Sequence, residues 1–135
     1  VWIGRPPGPG VLSTAGVDLL GEMPDIGPSL AALDLFVVPA RFDPFPLAVL
    51  EAMAYGLPIV AYSVGGVPEQ VGDAAVLVDP EDVEAMAEAV LILESDEAQR
   101  RRLGEMARRR VTELWDVGSF DARVLEIAAK ALARS

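Results

Sequence analysis

Asp43 and Glu51, eight positions apart, and the glycine pair Gly65-Gly66 are the residues whose types and spacing could do chemistry in this chain. Asp43 stands in Pro39-Ala40-Arg41-Phe42-Asp43-Pro44-Phe45-Pro46, and Glu51 lies in the helical pattern that follows. The glycine pair stands between Tyr62 and Glu69. Each segment follows an apolar run, one ending at Val38 and the other at Ala61. In open parallel sheets, ligands bind beyond the carboxyl ends of the strands, where helix N-termini point. A helix N-terminus carries unpaired N–H groups and roughly half a positive charge, which suits a phosphate. A glycine pair lets a ligand approach the backbone with no Cβ in the way. Each residue also has a plainer reading. Asp43 before Pro44 can be a helix N-cap followed by proline at the first helical position. Glu51 can be an exposed helix carboxylate, the glycine pair a tight turn, and Glu69 a local cap or ion-pair partner.

The elements that must position these residues alternate between short apolar strands and helical periods. Val1 to Gly4 reads as the end of a strand, Arg5 to Gly10 as a Pro/Gly segment that cannot be helix interior, and Gly16 to Gly21 as a strand. Pro28 to Leu33 reads as a short helix, with proline at its first position and Ser29 nearby. Leu35 to Val38, Pro58 to Tyr62 and Ala75 to Val78 have the β-branched, doubly buried character of parallel-sheet strands. Phe45 to Tyr55 has helical periodicity, ended by Gly56 as a C-terminal cap and Pro58 beyond it. The last third reads as three helices. Val83, Met86, Ala87 and Val90 form the stripe of the first, over Glu81 to Leu93. Leu103, Met106, Ala107 and Val111 form that of the second, over Glu97 to Leu114. The third runs from Ser119, its N-cap, to Leu132. Alternating strands and helices imply βαβ units around a parallel sheet. The chain opens inside a strand, which reads as a piece cut from a larger architecture.

Composition narrows the functions. The chain has 135 residues, 52% of them hydrophobic and 24% charged, which excludes disorder and suits one domain with its own core. Its net charge of -10 argues against nucleic acid as a partner, since that needs a basic footprint. Cysteine and histidine are both absent. That removes disulfides, thiolate chemistry, cysteine-ligated zinc and the commonest general base. The carboxylates are not clustered as ligands, so no metal is expected. No window of ~18 apolar residues and no signal peptide is present, so the chain reads as cytoplasmic with no transmembrane segment. The triplets Arg100-Arg101-Arg102 and Arg108-Arg109-Arg110, interleaved with Glu97, Glu105 and Glu113, read as a solvated helix face. Trp2 and Trp115 read as packing residues. Arginine in preference to lysine points to a GC-rich, bacterial genome.

From Asp34 to Val90 the sequence reads DLFVVPARFDPFPLAVLEAMAYGLPIVAYSVGGVPEQVGDAAVLVDPEDVEAMAEAV. This stretch resembles the nucleotide-binding half of GT-B glycosyltransferases, most closely the retaining "group 1", or family 4, enzymes. Their signature runs PS-x-x-E-x-F-G-x-x-x-x-E-A-M-A-x-G-x-P-V-V-A, then G-G-x-x-E, then G-x-L-V-x-P. Starch and glycogen synthases are similar but usually lack the EAMA run. The resemblance covers about Gly16 to Leu132. It implies an α/β fold, a Rossmann-like parallel sheet flanked by helices. This would be the C-terminal half of a GT-B architecture lacking its first strand–helix unit, with residues 1–135 as a single domain. It also implies that the partner is a nucleotide-diphospho-sugar donor, with no separate cofactor.

The resemblance assigns roles to individual residues. Glu51 takes the place of the acid that accepts hydrogen bonds from the donor ribose hydroxyls; two carboxylate oxygens match a vicinal diol. Asp43 takes the place of the acid beside the transferred sugar. Phe45, Pro46, Leu47 and Ala48 occupy the segment whose backbone N–H groups contact sugar hydroxyls and a phosphate. Gly65 and Gly66 leave room for the ligand. Two departures stand out. Asp43 is one methylene shorter than the usual Glu, and Pro46 replaces a glycine and so removes one N–H donor. The family's phosphate-clamping Arg and Lys precede the start of this chain. The acceptor site belongs to an N-terminal domain outside it, so these residues are expected to be incompetent alone. A non-catalytic Rossmann-like binding module is the alternative. A flavodoxin-like receiver is set aside because its acidic cluster at the first strand end is missing.

Overall fold

The computed structural model describes residues 1–3, 16–115 and 118. The expected helix from Ser119 to Leu132 and the segment from Arg5 to Gly10 lie outside the described residues. The chain divides into two units, Val1–Ala32 and Leu33–Ser135.

In the first unit, β1 (Trp2–Ile3) pairs in parallel with β2 (Leu19–Gly21), and α1 spans Gly27–Ala31. Of the expected strand from Gly16 to Gly21 only the last three residues form β2, with Leu19 and Gly21 opposite Trp2 and Ile3 and an irregularity between them. The helix has Pro28 in its first turn, as the sequence implies. Its start is held by Asp25, whose Oδ1 accepts the Gly27 N–H at 2.9 Å. Ser29 instead turns its hydroxyl to the Met23 sulfur at 3.4 Å.

The second unit is built on a three-stranded parallel sheet in the order β3 (Phe36–Val38), β4 (Ile59–Tyr62), β5 (Val76–Val78). Phe36 lies opposite Ile59, and Val60 opposite Val76. The central strand is buried at all four positions, which is why PIVAY reads as an unbroken apolar run rather than an alternating one. Between β3 and β4 comes α2 (Leu47–Ala54). It stops at Gly56, whose φ of +71° and N–H bond to the Met53 carbonyl close the C-terminal turn. It starts two residues later than periodicity implies, because Pro46 takes an extended conformation with ψ 116°.

After β4 come α3 (Val67–Val71), which periodicity does not reveal, and a 3₁₀ turn over Gly72–Ala74. Then α4 (Val83–Ser95) and α5 (Glu97–Leu114) follow β5. Asp82 and Asp96 cap them, accepting the Ala85 and Gln99 N–H groups. Met86, Ala89 and Leu93 form the buried seam of α4 and pack with Val60, Tyr62, Val78 and Leu103. This corrects the expected stripe: Val83 is 58% exposed and Ala87 is exposed too. On α5, Leu103, Gly104 and Ala107 are buried. A Cβ on Gly104 would sit 2.1 Å from the Gly56 carbonyl oxygen, so glycine there sets how closely α5 approaches the end of α2.

Candidate functional site

The loop after β3 and the loop after β4 meet beyond the carboxyl ends of those strands. Their contact is made of backbone. The Gly66 N–H donates to the Pro44 carbonyl at 2.9 Å. A Cβ on Gly65 would lie 1.9 Å from the Asp43 carbonyl oxygen, and Gly65 has φ +51°. A Cβ on Gly66 would lie 2.5 Å from the Pro44 carbonyl oxygen and 3.0 Å from Phe45 Cδ2. Both glycines are therefore required by the close approach of the chain to itself, and the space they leave on that side is filled by Asp43 to Phe45.

Asp43 is not the cap of α2. Its Oδ1 accepts the Phe45 N–H at 3.0 Å and closes a turn two residues long. Among the described residues the second carboxylate oxygen has no hydrogen-bond or ion-pair partner. The residue flanking α2 is Pro46; no side chain caps the helix, and no acid lies in its first turn. The first N–H groups of α2, on exposed Leu47 and Ala48, thus have no capping side chain among the described residues and carry the positive end of the helix. Glu51 sits one turn further along, about 6 Å by helical rise. It is exposed, and among the described residues its carboxylate has no hydrogen-bond or ion-pair partner. Phe42, beside Asp43, is 87% exposed and Leu47 is 68% exposed, giving the site an apolar rim that composition and spacing do not single out.

Three further residues join these loops from below. Gln70 on α3 is wholly buried, and its Nε2 donates to the Pro46 carbonyl at 3.1 Å. Arg110 on α5 reaches the end of α3, donating to the Gln70 carbonyl at 2.8 Å and the Glu69 carbonyl at 2.9 Å. Trp115 meets Phe45 edge-on, with ring centroids 5.3 Å apart. Packing is thus the role observed for Trp115, as expected. Glu69 receives Arg110, 41 residues along the chain, at its backbone carbonyl, a contact separate from the local cap or ion pair expected of its side chain.

The arginine triplets divide. Arg101, Arg102, Arg108 and Arg109 are exposed, in keeping with a solvated face. Arg100 and Arg110 turn inward to helix-end carbonyls, Arg100 to Leu93 and Glu94. Arg41 is paired with Glu81 from the loop after β5, at 4.0 Å. Among the described residues no group of three Asp or Glu converges as a metal site, and no helix is long and apolar enough to cross a membrane. A cavity of about 430 Å³ lies between β5 and α4, and none of the expected site residues lines it.

Residues 12–110 match the family of glycosyl transferases group 1. The chain belongs to that family. This group 1 chain is 37% identical over 108 residues to MMP alpha-(1->4)-mannosyltransferase of Mycolicibacterium hassiacum, covering 78% of its own length and 26% of that protein. Its fold matches the sucrose-phosphate synthase of Thermosynechococcus elongatus with a TM-score of 0.76 and 31% identity, over 87% of this chain and 31% of that one. It also matches Anabaena HepE, crystallised in complex with UDP-glucose, with a TM-score of 0.75 and 25% identity, over 83% of this chain and 32% of that one. The fold is therefore that of GT-B glycosyltransferases, an open parallel sheet flanked by helices. The group 1 chain spans about a quarter to a third of the length of these relatives.

Proposed function

We propose that these residues form one nucleotide-sugar-binding domain of a retaining, metal-independent glycosyltransferase of the cytoplasm. The observation that carries this reading is the meeting of the two loops at the uncapped start of α2, with the Glu51 carboxylate, unpartnered among the described residues, one turn along the helix. The Leu47 and Ala48 N–H groups take a phosphate of a nucleoside diphosphate, and Glu51 accepts hydrogen bonds from the ribose diol. Asp43, with one carboxylate oxygen held by Phe45, offers the other to the transferred sugar. Gly65 and Gly66 keep the second loop low, so that the ligand passes over backbone rather than side chains. The relative crystallised with UDP-glucose supports a donor of this class.

Catalysis in this reading is selective stabilisation of the departing diphosphate by fixed backbone dipoles. The acceptor is held by a separate N-terminal domain, and the donor domain does not turn over alone. Titration calorimetry against UDP, GDP, ADP and dTDP tests the reading. Binding of one nucleotide, lost in Glu51→Ala, is expected.

The engagement of Asp43 with Phe45, together with the missing donor at Pro46, favours the second reading, a non-catalytic binding module on the same scaffold. That reading expects no nucleoside diphosphate to bind.

A further inference from the structure

Gln70, Arg110 and Trp115 take no part in the chemistry proposed above, yet Gln70 bonds to the segment that leads into α2, and Arg110 and Trp115 bond to the backbone of α3 that carries Gln70. The Pro46 carbonyl that Gln70 holds also accepts the Val49 N–H at 3.2 Å, the first turn of the helix. Pro46 has no N–H of its own, and no side chain caps α2. The Gln70–Pro46 bond thus ties a buried side chain to the residue that flanks the start of α2.

Gln70 is also a costly residue to bury. Among the described residues its Oε1 has no hydrogen-bond partner, and a buried unpaired polar atom lowers stability. An apolar side chain of similar volume would avoid that cost. What an apolar side chain cannot do is hold the Pro46 carbonyl.

The backbone of Gln70 is gripped in turn. Its carbonyl accepts Arg110 Nε at 2.8 Å and Trp115 Nε1 at 3.4 Å, while Arg110 reaches the Glu69 carbonyl with a second nitrogen. Two charge-assisted bonds thus reach carbonyls at the end of a short helix. Gly72, with φ +52°, makes room: a Cβ there would lie 2.8 Å from the Arg110 guanidinium carbon. Trp115 closes the circuit by packing its ring against Phe45.

We propose that Gln70 is a positioning residue for the donor, braced from the end of α5 by Arg110 and Trp115. It fixes the start of α2 and so the direction of the N–H groups that meet the diphosphate. This rests on the donor site proposed above.

The test is Gln70→Met in the full chain, with Trp115→Phe and Arg110→Lys as companions. Three quantities are read: melting temperature, amide exchange of Val49 without ligand, and affinity for whichever of UDP, GDP, ADP and dTDP binds the unsubstituted protein. Gln70→Met is expected to keep the melting temperature, speed Val49 exchange at least tenfold and weaken nucleotide binding by about five- to thirtyfold. Trp115→Phe keeps the ring contact with Phe45 and is expected to show a smaller change in the same direction. Arg110→Lys keeps the charge but loses the two-pronged grip, and carries the test if Gln70→Met does not fold.

Tight binding by the unsubstituted protein with less than a twofold change in Gln70→Met, whatever the exchange rate, overturns the proposal. So does a loss of affinity that merely follows a fall in melting temperature. If the unsubstituted protein binds none of the four nucleotides, the donor site itself is refuted, and the positioning role falls with it.

Discussion

Gly65 shows how one residue can serve fold and site together. In the sequence it is half of a glycine pair that could admit a ligand or make a turn. In the structure it has positive φ and lies against the Asp43 carbonyl. Gly65→Ala is therefore expected to lower stability by at least about 1–3 kcal/mol, the cost of a strained backbone conformation alone. Chemical denaturation checks this, and an unchanged midpoint would contradict the geometry. Asp43 separates two roles in the same way. Asp43→Asn keeps an oxygen to accept the Phe45 N–H but removes the charge. It is expected to leave stability and nucleotide affinity unchanged while weakening binding of the intact nucleotide-sugar several-fold. Equal effects on nucleotide and nucleotide-sugar would remove Asp43 from the sugar.

At the scale of elements, the strand–loop–helix order from Phe36 to Tyr62 is legible in the sequence because its signals are local. β-branched runs, Gly56 at a helix end and Pro58 beyond it each act within a few residues. Helix α3 is not legible, since five residues are too few for a period to emerge. Neither is the brace. Gln70 meets Pro46 across 24 residues and Arg110 meets Gln70 across 40, and periodicity carries no information at such separations. The arginine triplets illustrate the same limit: their composition describes a solvated face, yet one member of each turns inward to helix-end carbonyls. The seam of α4 differs from the sequence pattern for a related reason. The face that packs is chosen by β4, β5 and α5 together, so Ala89 and Leu93 are buried where periodicity implies Val83 and Ala87. The approach of α5 to α2 leads to a further expectation. Gly104→Ala places a Cβ into the Gly56 carbonyl, so it should lower the melting temperature and weaken nucleotide binding together. Calorimetry on the variant reads both, and a fully stable Gly104→Ala would show that the helices can separate freely.

For the molecule as a whole, family and fold are legible because the EAMAYGLPIVA core and the Gly-Gly segment form an ordered run along the chain. The acidic balance has a sharper meaning beside the structure. The site is built from backbone N–H groups at the start of α2 and needs no net positive charge, so a chain with net charge -10 can still take a diphosphate. The described cation nearest in sequence to Asp43, Arg41, lies 4.0 Å from the exposed Glu81 carboxylate, so a negative charge stands beside it. In the proposed function these loops hold a nucleoside diphosphate with Glu51 on its ribose. Titration of UDP, GDP, ADP and dTDP into the chain and into Glu51→Ala tests it most directly. Because Glu51 is exposed and unpartnered among the described residues, its substitution should not disturb the fold. One nucleotide is expected to bind, and Glu51→Ala is expected to weaken it at least tenfold at an unchanged melting temperature. Binding that survives Glu51→Ala undiminished, or no binding of any of the four, would contradict it.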